Sequence, residues 1–204
     1  MRLRPPPGRA GRIWLLRRLE VAERGHDVLD QKRSALLRQL ERLEGELVDA
    51  RRDWERDATE AEVWWQRAAV LAGERPLELA RASVREAAEL EVEWRNALGV
   101  VYPADAEVRP PEGDLFPAGG SSALAYAAAA HRHALEAAAR LAAVQTAHRR
   151  TESELRATTQ RLRAIERRWV PEHELALRGL ELALDESDRE DAVRVRWVVE
   201  RRGA

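Results

Sequence analysis

The chain has no cysteine. That excludes a disulfide framework, a thiol nucleophile and cysteine-ligated zinc. Lysine is nearly absent too: of 35 basic side chains, only Lys32 is a lysine. No excess of either charge exists, since 36 acidic residues leave a formal net charge of −1. Overall electrostatics therefore gives no drive towards nucleic acid. Long hydrophobic runs are missing as well. The longest, Ala123–Ala130, is mostly alanine and too short to cross a bilayer. The basic N-terminus offers only Ile13-Trp14-Leu15-Leu16 as an apolar stretch, which is short for a signal core. A cytoplasmic protein is expected. No glycine-rich phosphate loop ends in lysine, and no serine stands in a Gly-x-Ser-x-Gly turn.

Charge and small apolar residues fill the space. Charged residues make up 35% of the chain, above the usual ~25%. Hydrophobic content is still 45%, much of it Ala and Leu, enough to order the chain. The helix breakers cluster. Five glycines and prolines fall within Pro5–Gly11 and eight between Gly99 and Gly120. Residues 12–72 hold only Gly25 and Gly45, and residues 121–198 only Pro171 and Gly179. Long unpunctuated stretches of Ala, Leu, Arg and Glu read as helix.

A stripe in steps of four and three runs through the first stretch. It reads Leu15, Leu19, Ala22, His26, Leu29, Arg33, Leu36, Leu40, Leu43, Leu47, Ala50, Trp54, Asp57, Ala61, Trp64, Ala68 and Leu71. Only His26, Arg33 and Asp57 are not apolar. A repeat of 3.5 held in phase this long implies a left-handed coiled coil. The second stretch answers with Leu141, Val144, His148, Thr151, Leu155, Thr158, Leu162, Ile165 and Trp169. After Trp169 two steps of four lead through His173 to Leu177, then Leu180 and Leu184. That is a stutter, and Pro171 lies within it, where a bend is expected. Two seams in one chain, joined through an insert, zip antiparallel.

The expected fold class is therefore all-α: a long antiparallel two-helix coiled coil with a shorter middle helix and a small hairpin or loop insert. It is read as a single elongated domain, 1–204. The first long helix covers 12–72. Pro76 opens a middle helix over 76–98, with Leu79, Ala82, Ala87, Leu90 and Trp94 on its apolar side. The insert covers 99–120, where Val100-Val101-Tyr102 and Ala106-Glu107-Val108 flank a proline-containing turn. Ser121 or Ser122 caps the second long helix, 121–198.

Chemistry is sparse. Glu23-x-x-His26 has the spacing of half a di-iron site, but none of the other histidines follows a Glu at that spacing. His131 and His133, two apart on a helix, point to different faces. No catalytic group, cofactor or metal is expected. The N-terminus stands out: Arg2, Arg4, Arg9, Arg12, Arg17 and Arg18 precede the first acid, Glu20. This is either a basic arm or a charged tip inserted into a partner. Trp54, Trp64 and Trp169 lie on the seams as core, while Trp65 beside the seam is free to face a partner.

The stretch from Arg9-Ala10-Gly11-Arg12 to Ala22, then Arg24-Gly25-His26-Asp27-Val28-Leu29-Asp30-Gln31-Lys32-Arg33-Ser34-Ala35-Leu36, resembles the D subunit of the vacuolar/archaeal-type rotary ATPases. Asp30 stands where the family has a lysine, and Ser34 where it has an aspartate. Arg161-Leu162-Arg163-Ala164-Ile165-Glu166, Val170-Pro171 and Leu184-Asp185-Glu186-Ser187-Asp188-Arg189-Glu190 are similar to its closing motifs, with Arg163 in place of Asn. Leu98-Gly99-Val100-Val101-Tyr102-Pro103 is similar to its hairpin segment.

The resemblance implies a non-catalytic central rotor shaft of a V/A-type ATP synthase or ATPase. Such a shaft couples ATP synthesis or hydrolysis in a catalytic ring to proton or sodium transport through a membrane ring. It implies as partners the catalytic and regulatory ring subunits, the small F subunit of the stalk and a funnel-shaped subunit above the membrane ring. The protein would sit in the cytoplasm, peripheral to the membrane, with no nucleic acid and no membrane insertion. Arg9, Arg12, Arg24, His26, Asp27, Lys32, Arg33, Glu186, Arg189 and Glu190 become the candidate contacts with the ring or other partners. Arg33, polar on an apolar seam, is expected to reach the acidic cluster Asp185, Glu186, Asp188 and Glu190 on the facing helix, or the ring, unless it extends to solvent. The alternative is a coiled-coil scaffold or adaptor without a rotary partner.

Overall fold

The computed structural model describes residues 4–83, 87–109 and 121–202. Helix α1 spans Gly8–Ala72 and a short α2 spans Glu74–Ser83. Strands β1, Glu89–Ala97, and β2, Val100–Arg109, form an antiparallel pair. Helix α3, Ser122–Ala164, leads through a π-helical turn, Ile165–Trp169, into α4, Val170–Arg202.

The helix ends follow from local chemistry. Gly73, at φ 76°, closes α1 by donating its N–H to the Ala69 carbonyl at 3.3 Å. A left-handed residue that satisfies a terminal carbonyl is the usual glycine stop. Ser121 caps α3: its Oγ accepts from the Leu124 N–H at 3.3 Å.

The chain is predominantly helical, but it is not all-α. The helix expected over 76–98 stops at Ser83, and residues 89–97 are a strand. Glu89-Leu90-Glu91-Val92-Glu93-Trp94 alternates strictly, which is the strand period. Leu90 and Trp94 lie four apart, and that spacing keeps one face in a helix and in a strand alike. The hairpin turn also lies elsewhere than expected. It falls at Leu98 and Gly99, both with positive φ (57° and 79°), a two-residue geometry suited to strand twist. Pro103 lies inside β2, next to a register irregularity at Glu93/Trp94, the kind of position that tolerates a residue without an N–H. The expected loop over 110–120 lies outside the described residues.

Contacts divide the chain into two compact units, Met1–Ser34 with Arg156–Ala204, and Ala35–Leu155. In the second unit the hairpin packs on the helices. Val100 and Tyr102 join Leu36, Leu43 and Ala147 in one buried cluster, and Ala106 joins Ala139 and Ala143 in another. Towards the end of α1, Ala68 packs against Ala123, Leu124 and Ala127, and Trp64 stacks on Tyr126 at 4.8 Å. Small residues let the backbones approach closely here. Trp54, expected in the core, is 38% exposed. Trp65 packs edge-on against His131 at 5.9 Å.

In the first unit the buried face is the stripe itself. Leu15, Ala22, Thr158, Leu162 and His173 are buried, and Leu19, Leu29, Ile165, Leu177, Leu180 and Leu184 are half-buried. The extra residue between Trp169 and His173 is absorbed by the π-turn. The Val170 N–H reaches back five residues to the Ile165 carbonyl, so the turn holds one residue more than an α-turn. Pro171 follows at once, where its missing N–H and its ring would otherwise strain a regular helix. His173 is held beneath it. Its Nδ1–H donates to the Trp169 carbonyl at 2.8 Å, and its ring stacks on Trp169 at 3.6 Å.

Candidate partner interface

All ten candidate contact residues lie in the first unit, on α1 and α4. The two helices meet antiparallel there. Arg9 Nη2 lies 3.6 Å from Asp188 Oδ1, and Arg12 Nε donates to Glu181 Oε1 at 2.8 Å. His26 Nε2 lies 2.8 Å from Glu166 Oε1 on the π-turn. As numbers rise along α1, those of the partners fall.

Six of the other candidates, Arg24, Asp27, Arg33, Glu186, Arg189 and Glu190, are held along their own helices. Arg24 binds Glu20 at 3.0 Å, Glu186 lies 3.6 Å from Arg189, and Glu190 lies 3.6 Å from Arg194. Asp27 lies 3.6 Å from His26 Nδ1. Lys32 is half-buried on α1. Arg33 corrects an expectation: its guanidinium binds Asp30 one turn away at 2.6 Å, not the acidic cluster on α4. The acids near 181–188 instead face Arg9 and Arg12. The register places His26 opposite residue 166, far from 180–190. The Arg33 Nε is buried and makes no hydrogen bond.

The titration of His26 is set by its acidic neighbours. Its imidazole is held above the ordinary value of 6.5, chiefly by the hydrogen bond to Glu166. Partial burial opposes this, and Asp27 adds a smaller upward push.

Beside this pair runs a groove of about 450 Å³. Leu19, Ala22, Ile165 and Val170 form its apolar part, and Glu23, His26, Glu166 and Glu174 its polar part. The sequence motifs contained His26 and Glu166 but did not pair them. They did not single out Glu181 as a partner of α1, or Glu174 as a residue of the groove. The signal was available in the one-residue skip at 169–173, which marks where the helix departs from α geometry.

Residues 13–200 match the family model for the D subunit of ATP synthase. The chain belongs to that family. It is 30% identical over 200 residues to the A-type ATP synthase D subunit of Pyrococcus horikoshii, covering 96% of this chain and 94% of the relative. The A-type ATP synthase D subunit of Methanopyrus kandleri is 30% identical over 195 residues, covering 94% and 84%. That of Halobacterium salinarum is 29% identical over 199 residues, covering 94% and 88%. The family membership does not favour the scaffold alternative. Among the described residues no helix is long and apolar enough to cross a membrane.

Proposed function

We propose that this chain is the central rotor-shaft subunit of a V/A-type ATP synthase or ATPase, and that it carries no catalytic group of its own. Nucleotide chemistry belongs to a ring of catalytic and regulatory subunits around it. The small F subunit of the stalk docks on the chain, and a funnel-shaped subunit joins it to a membrane ion ring on the cytoplasmic side. The observation that carries this reading is the family match across residues 13–200. The antiparallel contacts of α1 with α4 in the first unit, from Arg9–Asp188 to His26–Glu166, support it.

A shaft works by being unlike itself from side to side. Each ring interface then meets a different face, and rotation biases the interfaces among conformations of different nucleotide affinity. The coupling is reciprocal: nucleotide binding that favours one ring conformation favours one shaft angle. The π-turn and Pro171 make the α4 side of the first unit irregular, as this requires. Arg9, Arg12, Arg24, Arg189 and their acidic partners present exposed charge to the ring.

Co-expression with the ring subunits tests the reading. The chain is expected to co-purify with the ring and to change its rate of ATP hydrolysis. A ring that neither retains the chain nor alters its turnover on addition of it would overturn the proposal.

A further inference from the structure

We propose that His26 and Glu166 form a pH-sensitive latch, which ties the π-turn to α1 at low pH and lets the turn open more often as pH rises. The inference concerns this chain alone and does not rest on the central-shaft reading. The π-turn is a weak stretch of its helix. None of its five residues is buried, and segments with little buried surface open at low free-energy cost. The turn is closed by the bond from the Val170 N–H to the Ile165 carbonyl. Pro171, next in sequence, has no N–H with which to add another. Beneath the turn, His173 donates its Nδ1–H to the Trp169 carbonyl at 2.8 Å and stacks on the Trp169 ring. From α1, His26 reaches Glu166 at 2.8 Å, across 140 positions of sequence.

That tie is made by a side chain whose charge changes near neutral pH. When protonated, the imidazole donates Nε2–H to Glu166 at 2.8 Å, and its Nδ1–H faces Asp27 at 3.6 Å. When neutral, it keeps one N–H and loses its charge. Glu23 and Asp27 on α1, with Glu166 and Glu174 from the π-turn and α4, are the charged groups around it, and all four are acids. Glu166 chiefly, with a smaller push from Asp27, holds the imidazole above its ordinary 6.5 against the effect of burial. The latch is therefore closed below about pH 6.5 and is lost as pH rises through the elevated folded value. His173 would act in the opposite sense. Its Nε2 is buried without a hydrogen-bond partner, so charging that ring would loosen the turn on acidification.

The test is amide hydrogen exchange of the full chain, followed by NMR and corrected for the intrinsic rate at each pH. The Val170 N–H reads the opening of the turn, and the amide of Leu162, buried on α3, reads unfolding of the whole unit. Between about pH 6 and about pH 8, protection of Val170 relative to Leu162 is expected to fall about two- to fivefold, the size of a half-exposed ion pair. His26→Gln keeps an N–H for Glu166 but does not titrate, so its relative protection should stay level. Glu166→Gln removes the anion and should also stay level. Circular dichroism checks that both variants fold, and should one lose helicity the other decides. A level wild type, or a wild-type fall retained in a folded variant, overturns the latch. So does protection that rises towards pH 8, which would assign the response to His173.

Discussion

Arg12 and Glu181 stand 169 positions apart in sequence and meet at 2.8 Å. The contact fixes the register of α1 against α4 in the first unit. Both side chains are substantially exposed, at 50% and 40%, so water and salt weaken the pair. A double-mutant cycle with Arg12→Ala and Glu181→Ala should give a coupling of about 0.2–1 kcal/mol. The coupling should shrink in high salt; a value unaffected by salt would show that the guanidinium acts by packing.

The His26–Glu166 pair predicts a pH dependence. The folded imidazole titrates above its ordinary 6.5, so the protonated form is favoured by folding. Its contribution is fully present below about pH 6.5 and is lost as pH rises through the elevated folded value. Thermal melts between pH 5.5 and 8.5 should show a decline in Tm that Glu166→Gln reduces. Equal profiles for the two proteins would mean that the pair does not contribute.

Leu36 is 1% exposed and Leu37, its neighbour, 44%. Leu36→Ala should cost about 2–5 kcal/mol, because the cavity opens among Leu43, Tyr102 and Ala147. Leu37→Ala should stay within about 0.5 kcal/mol. Chemical denaturation of the two variants reads the difference, and similar midpoints would place the seam wrongly.

Two glycines should respond with opposite signs. Gly45 sits mid-helix with nothing within 4 Å of an added Cβ, so Gly45→Ala should stabilise by about 1 kcal/mol. Gly73 also has open space, but its φ is 76°. Gly73→Ala should destabilise by roughly 1–2 kcal/mol. Thermal unfolding of both variants checks the pair of signs.

The seam was legible because a heptad stripe is a one-dimensional signal. The positions read from Leu15 to Ala68 are buried or half-buried throughout, Trp54 excepted. The strand at 89–97 was not, because Leu90 and Trp94 satisfy both periods and the alternating glutamates between them decide the matter. Register was the least legible feature. No local pattern states how far α4 runs past the start of α1, and Arg9 already pairs with Asp188. The acidic cluster expected opposite Arg33 is therefore displaced towards Arg9. All ten candidate residues fall in the first unit, and which side chains they meet depends on that displacement.

The π-turn has a consequence for the chain's history. Everywhere else along the seam, adding or losing one residue would rotate all later side chains by about 100° and carry the stripe off the buried face. Between Ile165 and His173 the helix already carries one residue beyond the repeat. A relative lacking a single residue between 169 and 173 could keep the same faces buried with an unbroken α-helix, and would need no proline there. Single-residue gaps among related sequences thus have one natural place to fall.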